Sequence, residues 1–145
     1  MCFTTPDLET TMSELAGAAK LTWQPPVHGR LAEWDYRMTF TADGPPFIEL
    51  IETAPGGPWG DTRSPGFHHL GFWTSDLSAG SARLAGLGLE EAFSGCPFGR
   101  PFAYQHVDSI GGHLELVDVT RQPAFLQSWN PSGQPMPAIE ESSAT

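Results

Sequence analysis

The feature of this chain that most limits how it can fold is an internal repeat. Cys2-Phe3-Thr4-Thr5-Pro6-Asp7-Leu8 aligns with Gly71-Phe72-Trp73-Thr74-Ser75-Asp76-Leu77 at an offset of 69, matching Phe, Thr, Asp and Leu. Leu15-Ala16-Gly17 meets Leu84-Ala85-Gly86 at the same offset. A repeat of this period makes each copy one supersecondary unit, stable only when its apolar face is covered by the other.

Each copy opens as strand, cap and helix. Leu8, Met12 and Leu15 recur at helical spacing in the first copy, and Leu77, Leu84 and Leu87 in the second. Pro6 with Thr5 and Asp7 beside it is a helix start, and Ser75-Asp76 plays the equivalent part later. The second halves correspond too, with Ile48-Glu49-Leu50-Ile51 resembling Leu114-Glu115-Leu116-Val117 at an offset of 66. Turn chemistry precedes each, Gly44-Pro45-Pro46 in one and Gly111-Gly112 in the other. Upstream, the aromatic segments 34–40 and 102–107 read as strands. Each copy is therefore strand, helix, then two or three strands. His28, within Pro25-Pro26-Val27-His28-Gly29, reads as a turn residue.

With 145 residues the chain has room for one domain. Its first module spans 1–53, a Gly- and Pro-rich linker 54–66, and the second module 67–120. Residues 121–145 form a C-terminal extension in which Ala124-Phe125-Leu126 and Trp129 give way to Pro, Ser, Gly and acidic residues, a composition expected to be partly disordered. A formal charge of −10 repels phosphate backbones and anionic bilayers, which excludes nucleic acid and membrane surfaces as natural partners. No run approaches the roughly 20 apolar residues of a membrane span, and Cys2 and Cys96 are too few for a disulfide framework. A cytoplasmic protein that binds a small molecule is the expectation.

Several residues stand out chemically. Glu49 and Glu115 each sit among apolar strand residues, where a carboxylate needs a cation, a proton or several donors. His113 lies two before Glu115 and shares its face, so it is a candidate for proton transfer or substrate contact, with His106 a vaguer one. Strand alternation aims His68 away from His69, towards a structural role. Phe47, Trp73, Phe102 and Tyr104 are candidates to line a pocket for a ring or carbon chain, and Arg100 or Arg37 to hold an anionic group.

His68-His69-Leu70-Gly71-Phe72-Trp73-Thr74-Ser75-Asp76-Leu77, with Gly111 to Asp118 some forty residues on, resembles the second module of the glyoxalase / bleomycin-resistance / dioxygenase (vicinal oxygen chelate) superfamily. Residues 1–53 resemble the first module, and the similarity extends over about residues 1–120. The resemblance implies an α+β fold in which two βαβββ modules form an open, barrel-like cleft around a divalent metal. Carried over position by position, His69 is the first-strand ligand seven places before Asp76, and Glu49 and Glu115 are the last-strand ligands. A fourth position falls immediately before Met1, leaving an upstream residue, the amino terminus or a three-ligand site as alternatives. One imidazole and two carboxylates suit Zn, Ni, Co, Mn or Fe(II).

What the resemblance implies for activity is a metal-dependent isomerase, epimerase or lyase, chelating adjacent substrate oxygens and moving a proton with Glu49, Glu115 or His113. The alternative is a metal-free protein that sequesters a drug or natural product. An extradiol dioxygenase is disfavoured, since that chemistry implies two first-strand histidines and only one is present. A homodimer is a further implication of the family.

Overall fold

A computed structural model describes residues 1–42, 44, 46–60 and 65–129. The first module runs β1 (Cys2–Thr4), α1 (Leu8–Ala19), β2 (Val27–Leu31), β3 (Trp34–Phe40) and β4 (Glu49–Thr53). The second runs β5 (Gly66–Thr74), α2 (Leu77–Ala85), β6 (Glu91–Ser94), β7 (Phe102–Val107) and β8 (Gly112–Asp118), and a helix α3 (Gln122–Trp129) follows.

All eight strands form one curled half-barrel sheet in the order β2-β3-β4-β1-β5-β8-β7-β6. Outward from the centre each half therefore repeats the same order. β1 pairs in parallel with β4, β5 pairs in parallel with β8, and the modules join where β1 meets β5 antiparallel. The duplicated helix starts explain why both copies turn alike. Asp7 Oδ1 accepts from the Thr10 amide (2.8 Å) and Asp76 Oδ1 from the Ala79 amide (2.9 Å). Thr5 and Thr74, at the same offset, accept the amides of those two aspartates. Each cap satisfies amides that the first helical turn leaves unpaired.

The helices cover the convex side of the sheet. α1 lies against β4, with Leu8 fully buried, and α2 lies against β7 and β8 with Leu84 buried. Gly80 permits α2's close approach, because a Cβ there would sit 2.9 Å from Leu116 Cδ1. Strand alternation divides β4 between the two sides: Leu50 and Glu52 face α1, where Glu52 accepts the Leu8 amide, while Glu49 and Ile51 face the concave side.

One reading of the sequence changes. His28 lies in β2, an outer strand paired only to β3, rather than in a turn. Most of β2 is exposed, so it carries none of the apolar alternation by which a half-buried strand announces itself. The extension beyond residue 120 begins as the ordered helix α3; the expectation for residues 130–145 lies outside the described residues. Among the described residues, no helix is long and apolar enough to cross a membrane.

Leu8 is the anchor of α1, so Leu8→Ala is expected to cost about 2–5 kcal/mol of unfolding free energy, the range for a fully buried leucine. Urea denaturation followed by circular dichroism checks this; a loss below about 1 kcal/mol would show that α1 contributes little to the core.

Candidate functional site

The site lies at the seam between the modules. Cys2 on β1 is paired with Glu49 on one side and His69 on the other, and Gly71 on β5 is paired with Glu115. Glu49 and Glu115 thus come from the last strands of the two modules and both approach His69. His69 Nε2 stands 3.5 Å from Glu49 Oε2 and 3.2 Å from Glu115 Oε2. Gly71 leaves the space that Glu115 needs: a Cβ there would lie 3.0 Å from Glu115 Oε2.

A β-bulge brings His68 into this group as well. Cys2 pairs with His69 and Phe3 with Phe67, so His68 is the unpaired extra residue. Alternation is suspended at a bulge, and two consecutive side chains can lean to one side. His68 and His69 do so, with their Nδ1 atoms 2.8 Å apart and their rings nearly perpendicular. The expectation that His68 points away from His69 fails for this reason. His68 is buried, its Nε2 faces the Pro58 carbonyl at 3.1 Å, and His113 Nδ1 donates to its backbone carbonyl at 3.2 Å.

The electrostatics of the two neighbouring imidazoles are opposite. Burial, then the charge on His69, pushes the pKa of His68 down to about 3. Burial is the largest single influence on His69 and opposes its charge, but the Glu115 carboxylate, Cys2 and the hydrogen bonds to both together outweigh it and hold that imidazole well above its usual value. Cys2, fully enclosed, is pushed up to about 12 by burial and then by Glu49, so it stays a thiol. Tyr104 is raised well above the ordinary phenol value by burial and by Glu115.

Above this floor opens a cavity of about 310 Å³ on the concave face. Phe47, Trp73, Phe102, Tyr104 and Arg100 all line it, as do Glu49, Glu115 and His69. His113 is not among the lining residues and is turned towards His68; His106 sits further out, paired with Asp108 at 3.0 Å. Arg37 lies away from the cavity, pairing with Glu9 and Glu52. The amino terminus donates to the Phe47 carbonyl at 2.8 Å, and Met1 lines the cavity beside it.

Several lining residues escaped the reading of the sequence, Trp59, Arg121 and Phe125 among them. Trp59 is buried and its Nε1–H donates to the Tyr104 hydroxyl (3.2 Å), with Tyr36 packed on it at 4.8 Å. Its only signal was a large apolar ring in a Gly/Pro-rich stretch, a costly group to leave in water. Arg121 and Phe125 reach the cavity from the C-terminal extension, Phe125 packing on Trp73 at 5.5 Å. Nothing in their local pattern places them there.

One imidazole and two carboxylates are the donor types that suit a divalent cation, and each carboxylate stands at a donor–donor distance from His69. Donors bonded to one ion at about 2.0–2.2 Å stand roughly 3.0–3.5 Å from one another in octahedral or tetrahedral geometry, and the separations about His69 Nε2 fall in that range. Among the described residues, the group whose ligand atoms all lie within 4.8 Å of one another is the buried Cys2, His68 and His69, although the enclosed thiol is a poor ligand while protonated.

The sequence model of the Glyoxalase/Bleomycin resistance protein/Dioxygenase superfamily matches residues 1–104. The chain belongs to this superfamily. No curated protein sequence matches it. Among solved superfamily-like folds, a variant of Streptomyces coelicolor methylmalonyl-CoA epimerase in complex with 2-nitronate-propionyl-CoA aligns with a TM-score of 0.57 at 17% identity, over 81% of this chain and 92% of that one. Methylmalonyl-CoA epimerase from Mycobacterium tuberculosis gives 0.58 at 20% identity, over 81% and 83%. A hypothetical protein from Bacillus halodurans C-125 gives 0.61 at 16% identity, over 81% and 89%. At these identities the likeness is one of fold.

The paired imidazoles make a pH prediction for chelator-treated protein. Histidine NMR is expected to find His69 titrating well above 6.5 and His68 still neutral at pH 4, with Glu115→Gln lowering the His69 value. The raised pKa of His69 contributes stability that is complete below about 6.5 and lost as pH rises through the folded value. The depressed pKa of His68 contributes stability present above 6.5 and lost as pH falls towards 3. Urea denaturation across pH should therefore peak near 6.5, and a profile flat from pH 5 to 9 would contradict both shifts.

Proposed function

We propose that the chain is a metal-dependent isomerase, epimerase or lyase that moves a proton on a small organic molecule carrying adjacent oxygen atoms. The observation that carries this is the approach of both Glu49 and Glu115 to His69 Nε2 at the floor of an apolar cavity. His69 Nε2 and the two carboxylates would hold the ion, which when bound supplies positive charge to stabilise an oxyanion on adjacent substrate oxygens.

The chain's own groups do the rest. A Glu49 or Glu115 oxygen takes the proton from the substrate carbon, the C–H electron pair moves onto the neighbouring carbonyl oxygen, and return of a proton to that carbon completes the turnover. Because the carboxylates come from different modules, they flank the substrate from two sides, and delivery from the second inverts the centre. Trp59, Tyr104 and Phe102 surround the floor and exclude water, which strengthens charge interactions there. Arg100 and Arg121 enter the cavity from adjoining segments, tied by the Asp118 amide donating to the Pro101 carbonyl (3.0 Å). In so acidic a chain they favour a substrate with an anionic group at that end. The epimerase complexes of similar fold support proton transfer next to a carbonyl, here on a substrate sized for about 310 Å³.

A second reading, sequestration without chemistry, draws on the same aromatic walls and on the ability of a protonated His69 to satisfy both carboxylates unaided. Protein purified without chelators separates the two. Metal analysis is expected to find about one divalent ion per chain, lost in His69→Ala and Glu115→Ala. In deuterated water, a panel of small carbonyl acids and thioesters, methylmalonyl-CoA included, should yield a member whose α-proton exchanges. That exchange should slow roughly 10²–10⁴-fold in Glu49→Gln or Glu115→Gln. Absence of metal, with small aromatic anions bound equally by wild type and Glu115→Ala, would replace catalysis by sequestration.

A further inference from the structure

The bulge residue His68 has no place in the proton transfer above, yet it is buried against the His69 imidazole. Its hydrogen bonds run in one direction. The Pro58 carbonyl can only accept, so the His68 Nε2 that faces it at 3.1 Å carries the proton. A neutral imidazole has one N–H, which leaves His68 Nδ1 as an acceptor. Its partner, His69 Nδ1 at 2.8 Å, must then be the donor. When His69 gives up the proton that faces Glu49 and Glu115, it keeps the one on Nδ1 and presents a bare Nε2 lone pair towards the two carboxylates.

We propose that His68 is a positioning residue: held by the Pro58 carbonyl, it fixes His69 in the Nδ1–H tautomer and so presents Nε2 to the cation site between the two carboxylates. The role of presenting a ligand rests on the metal reading above; the tautomer itself does not. Three features hold the relay in place. The bulge turns both rings to one side, the nearly perpendicular ring planes let one Nδ1–H point at the other ring's lone pair, and His113 Nδ1 pins the His68 carbonyl at 3.2 Å. Gly112, beside His113, keeps that carbonyl approachable, since a Cβ there would lie 3.0 Å from the His68 oxygen and 2.5 Å from the Phe67 ring. The interaction supplies this chain with the outer hydrogen bond that metal-binding histidines use to set tautomer and ring orientation, here from a second imidazole rather than a carboxylate.

The test is nitrogen NMR of chelator-treated, histidine-labelled protein at alkaline pH, where His69 is neutral, together with Zn²⁺ and Mn²⁺ affinities from competition with a chromophoric chelator. Wild type should show His69 protonated on Nδ1. His68→Leu should lose that tautomer and bind both ions about 10–100-fold more weakly. His68→Gln, whose amide can donate to Pro58 and accept from His69, should restore both. Wild-type His69 protonated on Nε2, or a tautomer unchanged in a folded His68→Leu, overturns the proposal. Wild type with the Nδ1–H tautomer but no affinity for either ion upholds the tautomer assignment and counts against the metal reading alone.

Discussion

The antiparallel contact of β1 with β5 is the interaction on which everything chemical in this molecule depends. Each carboxylate stands on the last strand of its own module, held in parallel register beside that module's first strand. A module alone would carry one carboxylate on an open sheet face. Only the seam sets Cys2 between Glu49 and His69 and so brings the two carboxylates within 3.5 Å of one imidazole nitrogen. The bulge lies in that same seam, which is why the departure from regular pairing falls where the second histidine is needed.

Charge at the seam is confined to few groups. Two partly buried carboxylates in an apolar cleft require a compensating positive charge, and a proton on His69 or a divalent ion can each supply it. The surrounding groups do not compete. Cys2 is held as a thiol, Tyr104 as a phenol and His68 as a neutral ring, because burial penalises charge on each and the nearby charges reinforce it. An ion bound there would take the place of the proton that His69 holds.

Much of the frame was legible in the residues, because it is repetitive. The offset of 69 located both helix starts, and the recurring Glu49 and Glu115 marked both last strands. What escaped was whatever departs from periodicity. Alternation sends His68 to the wrong side, since one extra residue in a ladder leaves no trace in apolar pattern. The outer strand β2 was hidden by its exposure. Trp59 and Phe125 were hidden for a different reason: they reach the cavity by long-range contacts, from a loop and from a helix beyond the second module, and no local spacing encodes a partner so distant in sequence.

Those exceptions share a location in the architecture that bears on how the molecule came to be selective. The repeated parts build a symmetric frame and place two equivalent carboxylates. The parts without counterpart fill that frame unequally: the second imidazole and its bulge in β5, Trp59 in the connection, and Arg121 and Phe125 from the C-terminal extension. A symmetric cleft would present equivalent walls to a substrate and could not orient an unsymmetrical one. Trp59 from the connection and the guanidinium groups of Arg100 and Arg121 line the cavity without a counterpart in the repeat, so its walls are not equivalent. Walls that differ can hold an unsymmetrical molecule in a single orientation, which is what distinguishing two faces of one carbon requires.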